Sequence, residues 1–383
     1  MDFSFGPDDE TFRAEARAWL DTHVPDAPPG GGPGWERRLG ADGWIGLGWD
    51  TTHGAYGNRT ASLTQQVVWG EEYARAGAPP RSGHIGENLL APTLLAHGTP
   101  AQRDRFLPPV ARGEELWCQG YSEPGAGSDL ANVRTTAVLD GATYRITGQK
   151  IWTSLARDAH WCFLLARTRA DTTRHHGLSF LLVPMDQPGR IEVRPIRQMT
   201  GTSDFNEVFF DGAHAAAEHR VGADGDGWRV AMSLLGFERG VSTLVQQIGF
   251  ARELAGLVAT AVATGTADDP VIRDRLVRQW AELRTMRWNA LRTLGTTDPG
   301  APSLSKLLWS QWHRRLGELA LTVHGTPAAT AGAPWSADTP YPIDPVHHLF
   351  LFSRADTIYG GTGEIQRNII AERVLGLPRE PRP

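Results

Sequence analysis

Cysteine is scarce in this chain. Cys118 and Cys162 are the only two in 383 residues, and they do not form a Cys-x-x-Cys spacing. No disulfide framework or cysteine-based metal site follows, and a reducing interior is the expected setting. No run of about eighteen apolar residues occurs, which speaks against a membrane span. The opening Met1-Asp2-Phe3-Ser4-Phe5 is neither basic nor followed by a long apolar run, so no signal peptide is expected and the location read from it is cytoplasmic. Basic charge is not in excess either. The net charge is −5, which argues against nucleic acid or a membrane surface as main partner. There is no Gly-x-Gly-x-x-Gly after a strand, no Walker A segment, no His-Glu-x-x-His and no Gly-x-Ser-x-Gly. A nicotinamide Rossmann site and the common hydrolase and metal centres are therefore unsupported.

What is present falls into three stretches. The 43 glycines, 26 prolines and 14 tryptophans supply turns and aromatic area. Residues 8–24 read as a helix with Phe12, Ala16, Trp19 and Leu20 on one face and Pro25 as its stop. Residues 26–34 read as a loop and 62–76 as a helix. Thr99-Pro100-Ala101-Gln102 is a capping box with proline at the first helical position, and Pro108-Pro109 is expected to end that helix. The period changes near Leu116. Short segments at 143–152, 161–165, 178–183, 191–194 and 206–210, bounded by Gly, Pro or Asp, predict an antiparallel β domain. From Gly227 the pattern is helical again: one helix through Glu238 to about Val262, one over 271–294, one over 303–324 with Leu304, Leu308, Trp312, Leu316 and Leu319 on one face, and a last from Thr362 to Gly376. The loop at 326–345 is the one low-complexity stretch. The expected class is α+β, divided at 1–115, 116–222 and 223–383.

Four segments carry chemistry. Leu234, Val241, Val245 and Ile248 make an apolar stripe, and Glu238 lies on it. A carboxylate there is costly unless paired, protonated or working. It is either an ion-pair partner of Arg239 or Arg273, or a base. In Tyr121-Ser122-Glu123-Pro124-Gly125-Ala126-Gly127-Ser128-Asp129, the glycines at 125 and 127 permit close approach of backbone to a ligand. The hydroxyls of Ser122 and Ser128 suit a polar ring edge or a phosphate-bearing tail; a plain tight turn is the rival. Trp152-Thr153-Ser154 pairs an indole that can stack on a planar cofactor with two hydroxyls, or is a core tryptophan at a strand end. Ile358-Tyr359-Gly360-Gly361-Thr362-Gly363-Glu364-Ile365-Gln366 has Thr362 as a helix cap and free N–H groups beyond it, or is only a glycine-rich helix entry. His175-His176 and His347-His348 read as solvated loop pairs, and no metal site is expected.

Together and in this order the segments resemble the acyl-CoA dehydrogenase family along nearly the whole chain. The matching stretches are Tyr121 to Asp129, Gly148 to Ser154, Asn206 to Phe210, Phe237-Glu238-Arg239, and Ile358 to Glu372. The resemblance implies an N-terminal α domain, a middle antiparallel β domain and a C-terminal four-helix bundle, with FAD held between β domain and bundle. It implies that a glutamate removes the α-proton of an acyl-CoA or carrier-protein thioester. The β-hydrogen then leaves as hydride to flavin N5, and a trans-2-enoyl thioester results. Short- and medium-chain members carry the base directly after the tyrosine of the C-terminal motif, where this chain has Gly360. Isovaleryl-type and long-chain-type members carry it on the first bundle helix, where Phe237-Glu238-Arg239 matches. By this carry-over Glu238 is the base, and the Gly360 N–H is an oxyanion donor. Tyr121, Ser122, Gly127, Ser128, Trp152, Thr153, Ser154, Thr362 and Glu364 contact the cofactor. Ser128, Arg239, Tyr359 and Gly361 contact the substrate, Arg239 at the CoA tail.

Two family motifs that reach a neighbouring subunit's FAD are missing. Their places read Gly265-Thr266-Ala267-Asp268-Asp269-Pro270 and Val323-His324-Gly325-Thr326-Pro327. The assembly implied is a homo-oligomer or an α2β2 heterotetramer with a related subunit, and the missing motifs favour the second. An electron-transferring flavoprotein is the implied acceptor. An acyl-CoA oxidase or other oxygen-using flavoenzyme of the same fold, and a non-catalytic subunit of a heteromeric dehydrogenase, are the alternatives.

Overall fold

The first helix, α1 (Pro7–His23), buries the Phe12, Ala16 and Leu20 face that its spacing predicts. It belongs to a computed structural model that describes residues 5–52, 55–237, 241–293, 300–326 and 343–379. These divide into two units, one of 7–196 with 203–237, the other of 197–202 with 241–379. In the first, α2 (Pro33–Ala41) begins where the loop was expected to end, at a proline preset for a first helical turn. α3 (Leu63–Arg75) is closed by a reciprocal Ser62–Gln65 cap. Its Glu72, buried, accepts hydrogen bonds from Arg13, Arg17 and Arg75 and so ties α3 to α1. A single wide turn (Gly86–Leu90) leads into α4 (Ala91–His97). The capping box opens α5 (Pro100–Ala111): Thr99 Oγ1 accepts from the Gln102 N–H at 3.2 Å, and Gln102 Oε1 accepts from the Thr99 N–H at 3.0 Å. Pro108 and Pro109 do not end α5. They sit in its last turn, and the carbonyls of Pro108 and Pro109 accept from Arg112 and Glu114 to close the helix beyond them.

The strands are β1 (Trp117–Gly120), β2 (Thr136–Asp140), β3 (Thr143–Ser154), β4 (Trp161–Arg167), β5 (Leu178–Pro184), β6 (Ile191–Ile196), β7 (Phe205–Ala216) and β8 (Arg220–Val221). Their order is β6-β7-β3-β2-β4-β5-β8, with β1 also on β4. The sheet is mixed, not purely antiparallel as the spacing suggested. β1 and β2 both run parallel to β4. The reason is the connection: a loop and the β2–β3 hairpin intervene between β1 and β4, and a chain returning through such a crossover can arrive in its original direction. Cys118 and Cys162 face each other in that parallel register, both buried, both free thiols. The helix α6 (Gly227–Phe237) packs its Val230, Ala231 and Leu234 into the core shared with Phe163, Leu178 and Phe180. It approaches β5 so closely that a Cβ on Gly227 would stand 2.4 Å from the Ser179 carbonyl carbon.

The second unit is the helical bundle. α7 (Val241–Ala263), α8 (Pro270–Thr293) and α9 (Ala301–His324) pack around Phe250, Leu254, Leu283, Met286, Trp312 and Leu316. α10 (Pro345–Phe352) and α11 (Gly363–Ile369) lie on α9. Two predicted stripes hold in part: Leu234 on the first, and Trp312, Leu316 and Leu319 on the second, are buried, while other members are not. α7 buries Gln247, Phe250, Leu254, Leu257 and Ala261, while Val245 is exposed. On α9, Leu304 and Leu308 are exposed, and Lys306, Trp309 and His313 are buried instead. Lys306 and His313 can take inward positions because each finds a polar partner there, Lys306 the Asp356 carbonyl and His313 the Asp356 carboxylate. His347 and His348 lie on α10, not in a loop. Among the described residues no helix is long and apolar enough to cross a membrane.

Candidate active site

In the first unit the site residues gather around the loop after β1. The Ile151 N–H donates to the Ser122 carbonyl at 2.9 Å, and Glu123 and Ala126 exchange two backbone bonds, at 3.0 and 3.1 Å. The tight turn is therefore real. It is held from below by Lys150, fully buried, whose Nζ donates to the Tyr121 carbonyl at 2.9 Å and to Glu123 Oε1 at 2.8 Å. Glu123 also accepts from the N–H groups of Arg134 at 2.6 Å and Thr135 at 2.8 Å. Burial opposes ionisation of Glu123, but the Lys150 ammonium and these bonds outweigh it and hold the carboxyl below its ordinary value. Gly125 and Gly127 have no positive φ and nothing within 4 Å of a Cβ built on them. Neither turn geometry nor crowding requires glycine at these two positions, and the open space leaves room for a ligand to come close to the backbone.

Trp152 is held at φ +64° beside a bulge in the β3–β7 pairing, and it is 56% exposed. Leu155 is also left-handed, at φ +59°. Non-glycine residues in that region cost energy and concentrate at functional segments. The bulge aims the indole outward, with the edge of Phe205 against it. Next to it, Thr153 and its register partner Asn206 are buried, and Thr153 Oγ1 and Asn206 Oδ1 find no partner among the described residues. An exposed ring flanked by unpaired buried polar atoms fits a planar ligand with a polar edge, such as a flavin. Ser154 is half-buried; Ser128 and Gly127 are exposed.

In the second unit the C-terminal motif is built as a pinned turn. Gly360 and Gly361 are both left-handed, at φ +63° and +93°. Gln366, fully buried, donates through Nε2 to the Gly360 carbonyl at 3.0 Å and to the Gly361 carbonyl at 3.4 Å. Thr362 caps α11, its Oγ1 accepting from the Ile365 N–H. Glu364 projects into solvent. Among the described residues no acceptor takes the Gly360 N–H. Tyr359 donates its hydroxyl to Asp356 Oδ1 at 2.5 Å. The expected base and the expected contact to the CoA tail, Glu238 and Arg239, lie outside the described residues.

The residues that hold these two segments escaped the sequence reading. A signal was present: of the 38 lysines and arginines only Lys150 and Lys306 are lysines. Both are buried, and each donates to a backbone carbonyl beside a motif, Lys150 to Tyr121 and Lys306 to Asp356. A compact ammonium fits such a pocket where a guanidinium fork does not. The acidic residues in place of one inter-subunit motif also serve the local fold, since Asp269 Oδ1 accepts from the Val271 N–H at 2.7 Å and caps α8.

Comparison with known proteins finds matches along nearly the whole chain. Family models described as acyl-CoA dehydrogenase N-terminal, middle and C-terminal domains match residues 6–114, 118–213 and 225–375. A relative from Mycobacterium tuberculosis, acyl-CoA dehydrogenase IpdE1, is 56% identical, covering 97% of this chain and 99% of its own. The protein of that name from Mycolicibacterium smegmatis is 54% identical, covering 97% and 98%. Among solved structures, the ChsE4-ChsE5 complex from Mycobacterium tuberculosis superposes with a TM-score of 0.82 at 30% identity, covering 99% of this chain and 100% of the matched one. One described as the Tcur3481-Tcur3483 steroid ACAD gives 0.84 at 28% identity, covering 99% and 100%.

Proposed function

Because the chain belongs to the acyl-CoA dehydrogenase family and is an acyl-CoA dehydrogenase, a flavoprotein oxidoreductase, we propose that it converts an acyl-CoA thioester to the trans-2-enoyl thioester with Glu238 as the α-proton base. The observation that carries this reading is at Gly360. The position after Tyr359 has no carboxylate, so the proton acceptor comes from elsewhere, and Phe237-Glu238-Arg239 offers the glutamate. What Gly360 has instead is an N–H with no acceptor among the described residues, in a turn pinned by Gln366. That group donates to the thioester oxygen and stabilises the charge that develops there as Glu238 takes the α-proton. FAD, when bound, would supply the hydride acceptor for the β-hydrogen. Trp152 would stack on it, and Thr153 Oγ1, unpartnered among the described residues, would meet its polar edge. Tyr121, Ser122, Gly127, Ser128 and Ser154, with Thr362 and Glu364, complete the contacts to it. Ser128, Arg239, Tyr359 and Gly361 bind the substrate, Arg239 at the CoA tail.

The partner is a related subunit in an α2β2 assembly, and the acceptor is an electron-transferring flavoprotein. The first is supported by the two missing inter-subunit motifs and by the description of a matched structure as a complex. The exposed Trp280 and Trp288 on α8 add an uncovered apolar face. A steroid-derived acyl group is the favoured substrate class, in line with what the 28% identical structure is described as acting on. The division at 1–115, 116–222 and 223–383 belongs to the same reading and is supported by the spans of the three family models.

The test is an anaerobic visible spectrum titrated with a panel of acyl-CoAs, in the wild type and in Glu238→Gln. One substrate is expected to bleach the flavin band in the wild type, and bleaching in the variant is expected to be about 10²–10⁴-fold slower. Normal bleaching in the variant would remove Glu238 from the reaction.

A further inference from the structure

Beneath the C-terminal turn lies a charged cluster, buried at Lys306, His313 and Asp356 and open to solvent at Glu253, to which the dehydrogenation assigns no step. His313, on α9, donates through Nδ1 to Asp356 Oδ2 and through Nε2 to Glu253 Oε2, the latter at 2.9 Å. Both ring nitrogens face carboxylates, so the imidazole carries two protons. Burial by itself would lower its pKa, but the bonds and charges of Asp356 and Glu253 outweigh that and raise it to about 9. Lys306, about two helical turns earlier on α9 and also buried, donates to the Asp356 carbonyl and lies over the Trp309 and Tyr359 rings, at 4.1 and 4.6 Å. Asp356 itself is 1% exposed. Its second oxygen, Oδ1, accepts the Tyr359 hydroxyl.

These contacts converge on one short piece of backbone. Asp356 and Tyr359 flank the turn that enters Gly360. The turn is then gripped from two sides: by Asp356 through Tyr359 before the glycine, and by Gln366 on the glycine's own carbonyl. Two consecutive left-handed glycines form a soft backbone, with no side chain to hold it in place. A cation pair and an aspartate supply that hold from the bundle interior.

We propose that His313 is a positioning residue for the reaction: with Lys306 it fixes Asp356, and through Asp356 and Tyr359 it sets the direction of the Gly360 N–H toward the thioester oxygen. The proposal rests on the reading of Gly360 as oxyanion donor. It assigns no chemical step to His313, only the geometry of a donor whose value depends on alignment.

The experiment uses the holoenzyme with any subunit it needs, and the acyl-CoA of the panel that is turned over, labelled with ¹³C at the thioester carbonyl. Two variants are compared with the wild type. His313→Gln breaks the buried pair. Tyr359→Phe removes only the hydroxyl that Asp356 takes, keeping the His313–Asp356 pair and the ring assigned to the substrate, so it decides the matter should His313→Gln not fold. Both are expected to lower kcat by about 10-fold to 100-fold. KM should stay within about twofold, and the bound carbonyl resonance, shifted downfield in the wild type, should move back toward its free position. A cluster that only stabilises the bundle would lower Tm and leave the carbonyl shift and the kcat of folded enzyme unchanged; that result would overturn the inference alone. A wild-type carbonyl with no downfield shift would instead overturn the role given to Gly360, and the inference with it.

Discussion

At the scale of single residues, two buried ammonium groups and one imidazolium organise the segments around the motifs. Each is tolerated because a carboxylate or a carbonyl meets it, and each would be strongly destabilising alone. His313 makes this measurable. Its pKa is raised to about 9 in the fold, above the 6.5 of an unperturbed histidine. A raised value means that the folded state holds the proton more tightly than the unfolded chain. The stabilisation is therefore fully present below about pH 6.5 and is lost as pH rises through about 9. We expect the stability gap between wild type and His313→Gln, measured by urea unfolding, to be roughly 2–3 kcal/mol at pH 6 and to shrink steadily toward pH 9.5. A gap independent of pH would mean that the histidine holds its proton equally well in the folded and unfolded chain.

At the scale of elements, the chain relies on close approach where a helix must lie in one place. α6 leads from the sheet toward Phe237, and its first residue, Gly227, rests against the Ser179 backbone in β5. Strand backbone cannot yield as a flexible side chain can. Gly227→Ala is expected to cost about 2–3 kcal/mol and to displace the start of α6. Thermal unfolding followed by near-ultraviolet circular dichroism checks this, since Trp228 follows the substituted residue. A Tm unchanged within error would mean that the helix can move off the strand at no cost. The bulge at Trp152 works in the opposite sense: there the strand breaks its own pairing so that one indole leaves the core.

At the scale of the whole molecule, the question is what completes the chain. Val277, Trp280 and Trp288 are exposed on α8, with the Arg284 guanidinium over both indoles at 5.8 and 5.9 Å. Asp269, in the place of one missing inter-subunit motif, is committed to capping α8. The chain expressed alone is expected to retain well under one FAD per polypeptide, and co-expression with a related subunit is expected to restore it. Size-exclusion chromatography with flavin quantification decides. A homo-oligomer carrying one FAD per chain would overturn the heteromeric assignment.

What the sequence by itself determined was local. The order of helices, strands and helices, the capping box at Thr99 and the glycine-rich entry to α11 all rest on interactions within a few residues, and periodicity and turn chemistry report those directly. The motif segments were visible for the same reason. What only the tertiary structure decided was which partner each face would meet. Val245, Leu304 and Leu308 look like core residues by spacing and are exposed, because a helix buries the side its neighbours cover. β1 pairs parallel to β4 because a distant hairpin intervenes. Lys150 reaches Glu123 across 27 positions, and His313 reaches Asp356 across 43. Burial of a charge depends on a counter-charge brought from far along the chain, and no local pattern records that arrival.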